Sequence, residues 1–402
     1  YRGLLPFGIA LSKNEETLYV ALLGFNAVAK MNIKSSTTMG LIPTGWGTTR
    51  VALSDDEKHI YITSCRGLGA GPNGGKNFKI PKQGTYIGDI QLGSFQDVLN
   101  PDEATLSIYT KQTLANTYIE KSQTDSLPLP ILPGSKNSPI KHVVFITKEN
   151  RTFDEVFGQM KNVNGDATIA RFGLDVNVYG KNKIVKHVNV TPNHHKIAKQ
   201  FSLSDNFYCD SDASIHGHHW MMGVIPNEWV ETNSSTKKSA DYFSTAPGRR
   251  FPGSTGSMDP EDYAEIGGLW EALDRKKISY YNFGQANETA HVREDWDDTA
   301  TGAAHIVMVP MQKGVWEKTS HNFAGYNTNI PDQFRAKQFE EEFSKKWLSG
   351  KDTLPQIITV MLPNDHTAGP RPEDGYPYSA SYVADNDLAL GRTLHFLSRT
   401  PY

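Results

Sequence analysis

The chain has 402 residues and a net charge of −3, a length sufficient for two or three domains that each bury their own core. With a sequence pI near 6.5, it carries no basic footprint for nucleic acid and no polybasic membrane patch. No run of about 18 apolar residues is present to span a bilayer.

Two cysteines, Cys65 and Cys209, are too few for a disulfide framework or a thiolate metal site, although one long-range bridge stays open. The sequence opens at Tyr1 without a signal peptide and is inside a repeat within about ten residues. It stops at Tyr402 just after a predicted helix. These ends are expected to be those of an internal piece of a longer protein.

The first region repeats with a period of 42: Ala10 to Val20 aligns with Ala52 to Ile62, polar over polar and apolar over apolar. Each unit reads as strand, polar turn (Ser12 to Glu16, Ser54 to Lys58), strand. Such a period is the spacing of a four-stranded propeller blade. Gly67 to Gly84, rich in Gly, Pro and Lys, reads as a long loop between strands. The repeats resemble the bacterial β-propeller family named after its Tyr-Val-Thr-Asn motif, written here Tyr19-Val20-Ala21-Leu22 and Tyr61-Ile62-Thr63-Ser64. Two units cannot close a ring, so further blades are expected upstream. A propeller offers a rim and a channel on which a partner could dock.

Pro101-Asp102-Glu103-Ala104 reads as a helix start, with Asp102 as cap. Residues 125–139 contain four prolines and are expected to be a linker between residues 1–124 and 140–402.

The second region alternates strands and helices as a doubly wound α/β sheet requires. Ile140 to Thr147 is expected to be a buried strand, delivering Glu149 and Asn150 to its carboxyl end, where open α/β sheets hold ligands. A strand-to-helix turn capped by Asn150 or Thr152 fits the spacing equally well. Six of the thirteen histidines fall between His187 and His219, around the hydroxyl of Ser214. Imidazoles beside a hydroxyl suggest metal-assisted hydrolysis, although a dense histidine tract can also be structural. Gly268 to Arg275 has helical spacing and leads into a strand, Ile278 to Phe283. Pro331 to Leu348 reads as one helix with Phe339, Phe343 and Trp347 on its core face, ended by Gly350. Gln356 to Leu362 reads as another buried strand, ending in Asn364-Asp365-His366.

Ser138 to Asp154, with Val156-Phe157-Gly158, resembles the opening motif of the phosphoesterase family that contains bacterial phospholipases C and a metal-dependent acid phosphatase. Thr191 to His195, Ser204 to Tyr208, Leu362 to Thr367 and Val383 to Arg392 extend the resemblance in order. It implies the alkaline-phosphatase-like fold, a mainly parallel sheet flanked by helices, here truncated at its C-terminal end. It also implies a divalent metal ion held by Glu149, Asn150 and Ser214, with Ser214 as nucleophile, His218 beside it, and His366 contacting the phosphoryl group or assisting the leaving group. Ile215 and His216 stand where the family has Ala-Asp. His194 and His195 match a family motif, but they read equally well as a structural pair at a helix start. Asp365 is either a ligand or the residue that orients His366. The family's remaining acidic ligands lie at the end of its next strand, which is expected beyond Tyr402; Asp385 and Asp387, at the start of a helix from Asn386 to Leu397, read at least as well as caps as they do as ligands. The metal site of this piece is then incomplete.

The implied substrate is a phosphate mono- or diester, split through a phosphoserine intermediate. Both families are typically exported, which implies a secreted or periplasmic protein. The alternative is a propeller-led binding or scaffold protein with a degenerate hydrolase half.

Overall fold

The computed structural model describes residues 4–67, 92–117, 139–149, 151–180, 183–207, 214–223, 267–285 and 313–402, with backbone only at 117, 215, 216, 223 and 313. The described residues form two compact units, 4–117 and those from 139 onward. The expected linker lies outside them except for Pro139, as does Cys209.

In the first unit, β1 (Pro6–Leu11), β2 (Thr17–Leu22), β3 (Ala27–Asn32) and β4 (Thr37–Pro43) form an antiparallel sheet in chain order. A second sheet holds β5 (Thr48–Leu53), β6 (His59–Ser64) and β7 (Ser94–Leu99). Pro6 to Thr48 and Thr17 to His59 are both steps of 42, so the sequence repeat is a structural one. It holds down to single atoms. Ser12 Oγ accepts the Thr17 N–H at 2.9 Å and donates to Asn14 Oδ1 at 2.7 Å; Ser54 Oγ accepts the His59 N–H at 3.0 Å and donates to Asp56 Oδ1 at 2.7 Å. Glu15 and Glu57 take the same left-handed backbone, at φ +59° and +56°. These turns fix loop length and thereby strand register.

The two sheets pack face to face, with Tyr19, Ala21, Val28 and Ile42 of the first against Val51, Ile60 and Ile62 of the second. Strand β7 was not anticipated. Its outward residues Phe95, Asp97 and Leu99 mix apolar and acidic character, so no clean alternation shows in the sequence. The loop expected at 67–84 falls almost wholly outside the described residues.

Helix α1 (Glu103–Thr117) begins where expected, with the Thr105 N–H donating to Asp102 Oδ1 at 2.8 Å. It covers β4: the Leu41 N–H donates to Thr110 Oγ1 at 2.9 Å, and a Cβ at Gly40 would lie 2.5 Å from Leu106 Cγ. A side chain there would push the helix off the sheet. No propeller ring closes among the described residues.

The second unit is built on a parallel sheet of order β11–β12–β8, comprising β8 (Val143–Lys148), β11 (Tyr280–Phe283) and β12 (Ile357–Leu362). A hairpin of β9 (Val176–Tyr179) and β10 (Ile184–Val188) stands apart from it. Five helices matter below: α2 (Phe153–Phe157), α3 (Pro192–Gln200), α4 (Ser214–Gly223), α5 (Leu269–Arg275) and α6 (Asp332–Phe343). A long helix, α7 (Ser379–Leu397), closes the chain.

Because side chains alternate along strands, Ile358, Val360 and Leu362 line one face of β12. There they meet Phe283 together with Phe339, Phe343 and Trp347, all buried. Trp270 and Leu273 of α5 cover Tyr280 on the other face. Helices therefore flank both faces of the sheet, as the alternation predicts. The aromatic stripe is core, but the expected single helix is not uniform. After Phe343 the chain makes a π turn over Ser344–Leu348 before stopping at Gly350, φ +72°. Strand β8 also departs from expectation: Val143 and Phe145 are 45% and 43% exposed, since only one face of this strand meets the helical layer.

The largest correction concerns α7. It starts at Ser379, not Asn386, so Asp385 and Asp387 lie within it and are buried. Both do cap helices, but not their own. Asp385 Oδ2 accepts the Asp332 N–H of α6 at 2.6 Å, and Asp387 accepts the Asn193 and His194 N–H groups of α3 at 3.1 and 2.8 Å.

Candidate active site at the carboxyl edge of the parallel sheet

Leu362 pairs with Lys148, so β8 and β12 end side by side and their next residues share one edge. Past β12, Asn364–His366 form a single 3-10 turn. Asn364 fixes it: its N–H donates to Asp332 Oδ2 at 2.8 Å and its side chain to Asp385 Oδ2 at 2.9 Å. Arg335, fully buried, in turn holds Asp332 Oδ1 at 3.0 Å.

The turn aims Asp365 back at β8. Its Oδ1 accepts the Glu149 N–H at 2.9 Å and its Oδ2 accepts Lys148 Nζ at 2.8 Å. Asp365 thus orients Glu149 and Lys148. His366, which sequence made its possible partner, is held separately, by a 3.0 Å contact from Nδ1 to the Thr367 carbonyl and by the edge of Tyr326.

Glu149 is the centre of the arrangement. Its Oε1 accepts His218 Nε2–H at 2.9 Å, with both side chains nearly inaccessible. Among the described residues, Glu149 Oε2 and His218 Nδ1 are buried without a hydrogen-bond partner. Leaving such atoms unsatisfied costs about 1–3 kcal/mol each, and more where the group is charged. With Nε2 carrying the proton toward Glu149, a neutral His218 keeps a lone pair on Nδ1.

Ser214 begins α4, about one turn before His218 and on the same helix face. Its side chain is half-buried. Asn150 and the side chain of His216 lie outside the described residues.

Behind Lys148 runs a buried polar chain that the sequence did not reveal. Lys148 Nζ contacts His194 Nε2 at 2.7 Å, and His194 Nδ1 contacts Asp387 Oδ1 at 2.6 Å. Burial, then the Lys148 ammonium, hold the His194 imidazole below its ordinary pKa. Burial alone would raise the Asp387 carboxyl, but the His194 and Asn193 donors outweigh it and keep it below the usual carboxylate value. His195 Nε2 bonds the Val156 carbonyl at 2.7 Å, tying α3 to α2, and burial lowers its pKa.

No group of three or more His, Cys, Asp or Glu side chains poised to hold a metal occurs among the described residues. Glu149 Oε2, buried and unpartnered among the described residues, is an oxygen donor of the kind a divalent cation takes.

The fold and this edge define an α/β protein with a polar, largely buried site at the carboxyl edge of its parallel sheet. Comparison with known proteins agrees: the model of the Phosphoesterase family matches residues 140–247, a span that holds Glu149, His194, Ser214 and His218 but not Asp365, His366 or Asp387. No curated protein matches the chain. One solved structure, the hydrazine synthase of Kuenenia stuttgartiensis, is similar at 17% identity and a TM-score of 0.16. The similarity covers 16% of this chain and 18% of that one. The family match supports hydrolysis of phosphate esters.

Proposed function

We propose that the second unit is a metal-dependent phosphoesterase of alkaline-phosphatase-like fold that works through a phosphoserine intermediate. The observation that carries this is the buried Glu149–His218 pair, with an orphaned oxygen and an orphaned nitrogen, one helical turn from Ser214 within the family-matched segment. Glu149, Asn150 and Ser214 would hold the cation. When bound, it supplies positive charge that favours the serine alkoxide and offsets charge on the phosphoryl oxygens.

The chain's own groups do the rest. Ser214 Oγ, its proton given up to water, attacks phosphorus as the ester oxygen departs, and His366 delivers a proton to that oxygen. Water then attacks the phosphoserine from the opposite side, releasing phosphate and restoring the hydroxyl. His218, fixed by Glu149, keeps that carboxylate aimed at the Ser214 end of α4.

The first unit, by this reading, is part of a β-propeller. Tyr19 and Ala21 on one sheet pack on Ile60 and Ile62 of the next. A step of 42 carries the first pair to Tyr61 and Thr63, on the opposite face of the second sheet. Its exposed neighbours there include Phe95 and Leu99, 66% and 67% exposed. Head-to-tail contacts of this kind continue by adding another copy of the same unit.

The test is divalent-metal-dependent hydrolysis of an aryl phosphate by the full-length protein. Ser214→Ala is expected to lower turnover by about a thousandfold or more, as loss of a nucleophile does. Unchanged turnover would remove Ser214 from the mechanism. A folded wild type inert toward mono- and diesters with every metal would favour the scaffold alternative.

A further inference from the structure

Lys148 is held in a way that an ordinary surface lysine is not. Its ammonium has three donors, and two are committed, to Asp365 Oδ2 at 2.8 Å and to His194 Nε2 at 2.7 Å. Both acceptors are buried and braced from behind. Asp365 is tied to the Glu149 N–H, and His194 to Asp387.

The polarity of this chain is fixed by chemistry. An ionised Asp387 only accepts, so His194 Nδ1 carries the proton; His194 Nε2 then presents a lone pair, so Lys148 is the donor. The Lys148 side chain nevertheless keeps 23% exposure at the carboxyl edge, beside Glu149.

A second cation, Arg151, follows two residues after Glu149, its guanidinium 5.3 Å from the centre of the Phe172 ring. Arg151 reaches Glu155 Oε1 and the His366 carbonyl only at 3.4 and 3.5 Å, and its Nε is buried without a partner among the described residues. Glu155 is engaged more closely by Arg171 Nε, at 2.6 Å. Lys148 offers one uncommitted donor at the edge where Glu149 lies. A phosphate diester presents a single negative charge, whereas a monoester near neutral pH presents close to two.

We propose that Lys148 is a specificity-determining residue of this site, its third N–H taking a nonbridging oxygen of the substrate, and that the substrate class is the phosphate monoester. The assignment rests on the phosphoesterase reading above and narrows it. Asp387 and His194 act through Lys148 as positioning residues.

The experiment compares an aryl phosphate monoester with a bis-aryl diester, using full-length protein supplied with divalent metal, in wild type, Lys148→Met and Lys148→Arg. Calorimetric binding of inorganic phosphate without added metal is measured in parallel. Wild type is expected to favour the monoester in kcat/KM. Lys148→Met should reduce that preference by about 10- to 100-fold, the loss of one hydrogen bond to a charged group. It should weaken phosphate binding by a similar factor, while Lys148→Arg restores part of both. A wild type that prefers the diester, or a Lys148→Met variant that lowers both rates equally, would overturn the proposal and leave the phosphoesterase reading intact. Failure of wild type to split either ester would instead sink that reading, and the substrate assignment with it. If Lys148→Met does not fold, the wild-type preference and Lys148→Arg still decide: a charge-retaining variant that binds phosphate no better than a folded Lys148→Gln counts against Lys148.

Discussion

Truncating Asp387 tests whether the polar chain behind the site holds the second unit together. Its carboxylate, 2% exposed, accepts the Asn193 and His194 backbone N–H groups, the Asn193 side-chain amide and His194 Nδ1–H. Asp387→Ala removes the cap of α3 and leaves buried donors on two residues without an acceptor. A lost cap costs about 1 kcal/mol, and each stranded buried donor about 1–3 kcal/mol. Because these donors share one acceptor, the losses do not simply add. A total of about 3–5 kcal/mol is expected, comparable to breaking a buried ion pair and a large share of a typical domain's stability. Asp387→Asn keeps one accepting oxygen and should cost about half as much. Urea unfolding, followed for the transition of the second unit, measures both. A loss below about 1 kcal/mol for Asp387→Ala would refute the claim that α7 and α3 are joined through this carboxylate.

Stability should also depend on pH through His194. Its pKa is lowered in the fold, so between that value and the ordinary one near 6.5 the unfolded chain binds more protons. The contribution is complete above about pH 6.5 and is lost on acidification toward the folded value; His194→Gln should flatten the melting temperature in that window, and an unaltered slope would exclude His194 as the cause. In the first unit, Gly40→Val should destabilise by about 1–3 kcal/mol through overpacking against Leu106. Adding Leu106→Ala should recover part of that loss in a double-mutant cycle; strict additivity would show that the two positions do not touch.

Local pattern carried much of this protein. The period of 42, the Ser12 and Ser54 turns, the Asp102 cap and the aromatic stripe Phe339–Phe343–Trp347 are all short-range features, settled by residues within a turn or two of one another. Glu149, Ser214 and His218 were candidates from the sequence because a strand end and a hydroxyl among imidazoles point to chemistry without a fold; the structure pairs Glu149 with His218. Lys148 was in plain view beside Glu149, yet nothing nearby distinguishes it from a solvated lysine. Its partners His194 and Asp365 lie 46 and 217 residues away.

The same holds for Asp385 and Asp387. Sequence placed them at the start of a helix, where capping weighed at least as much as a ligand role. Which helix each one caps could not be read locally, because α7 runs through both and their recipients lie 53 and 193–194 residues away. Composition and spacing thus determined the elements and the kinds of chemistry available. Only tertiary packing decided which charges meet, since the pairing of buried polar groups depends on contacts between segments far apart in the chain, to which local periodicity is blind.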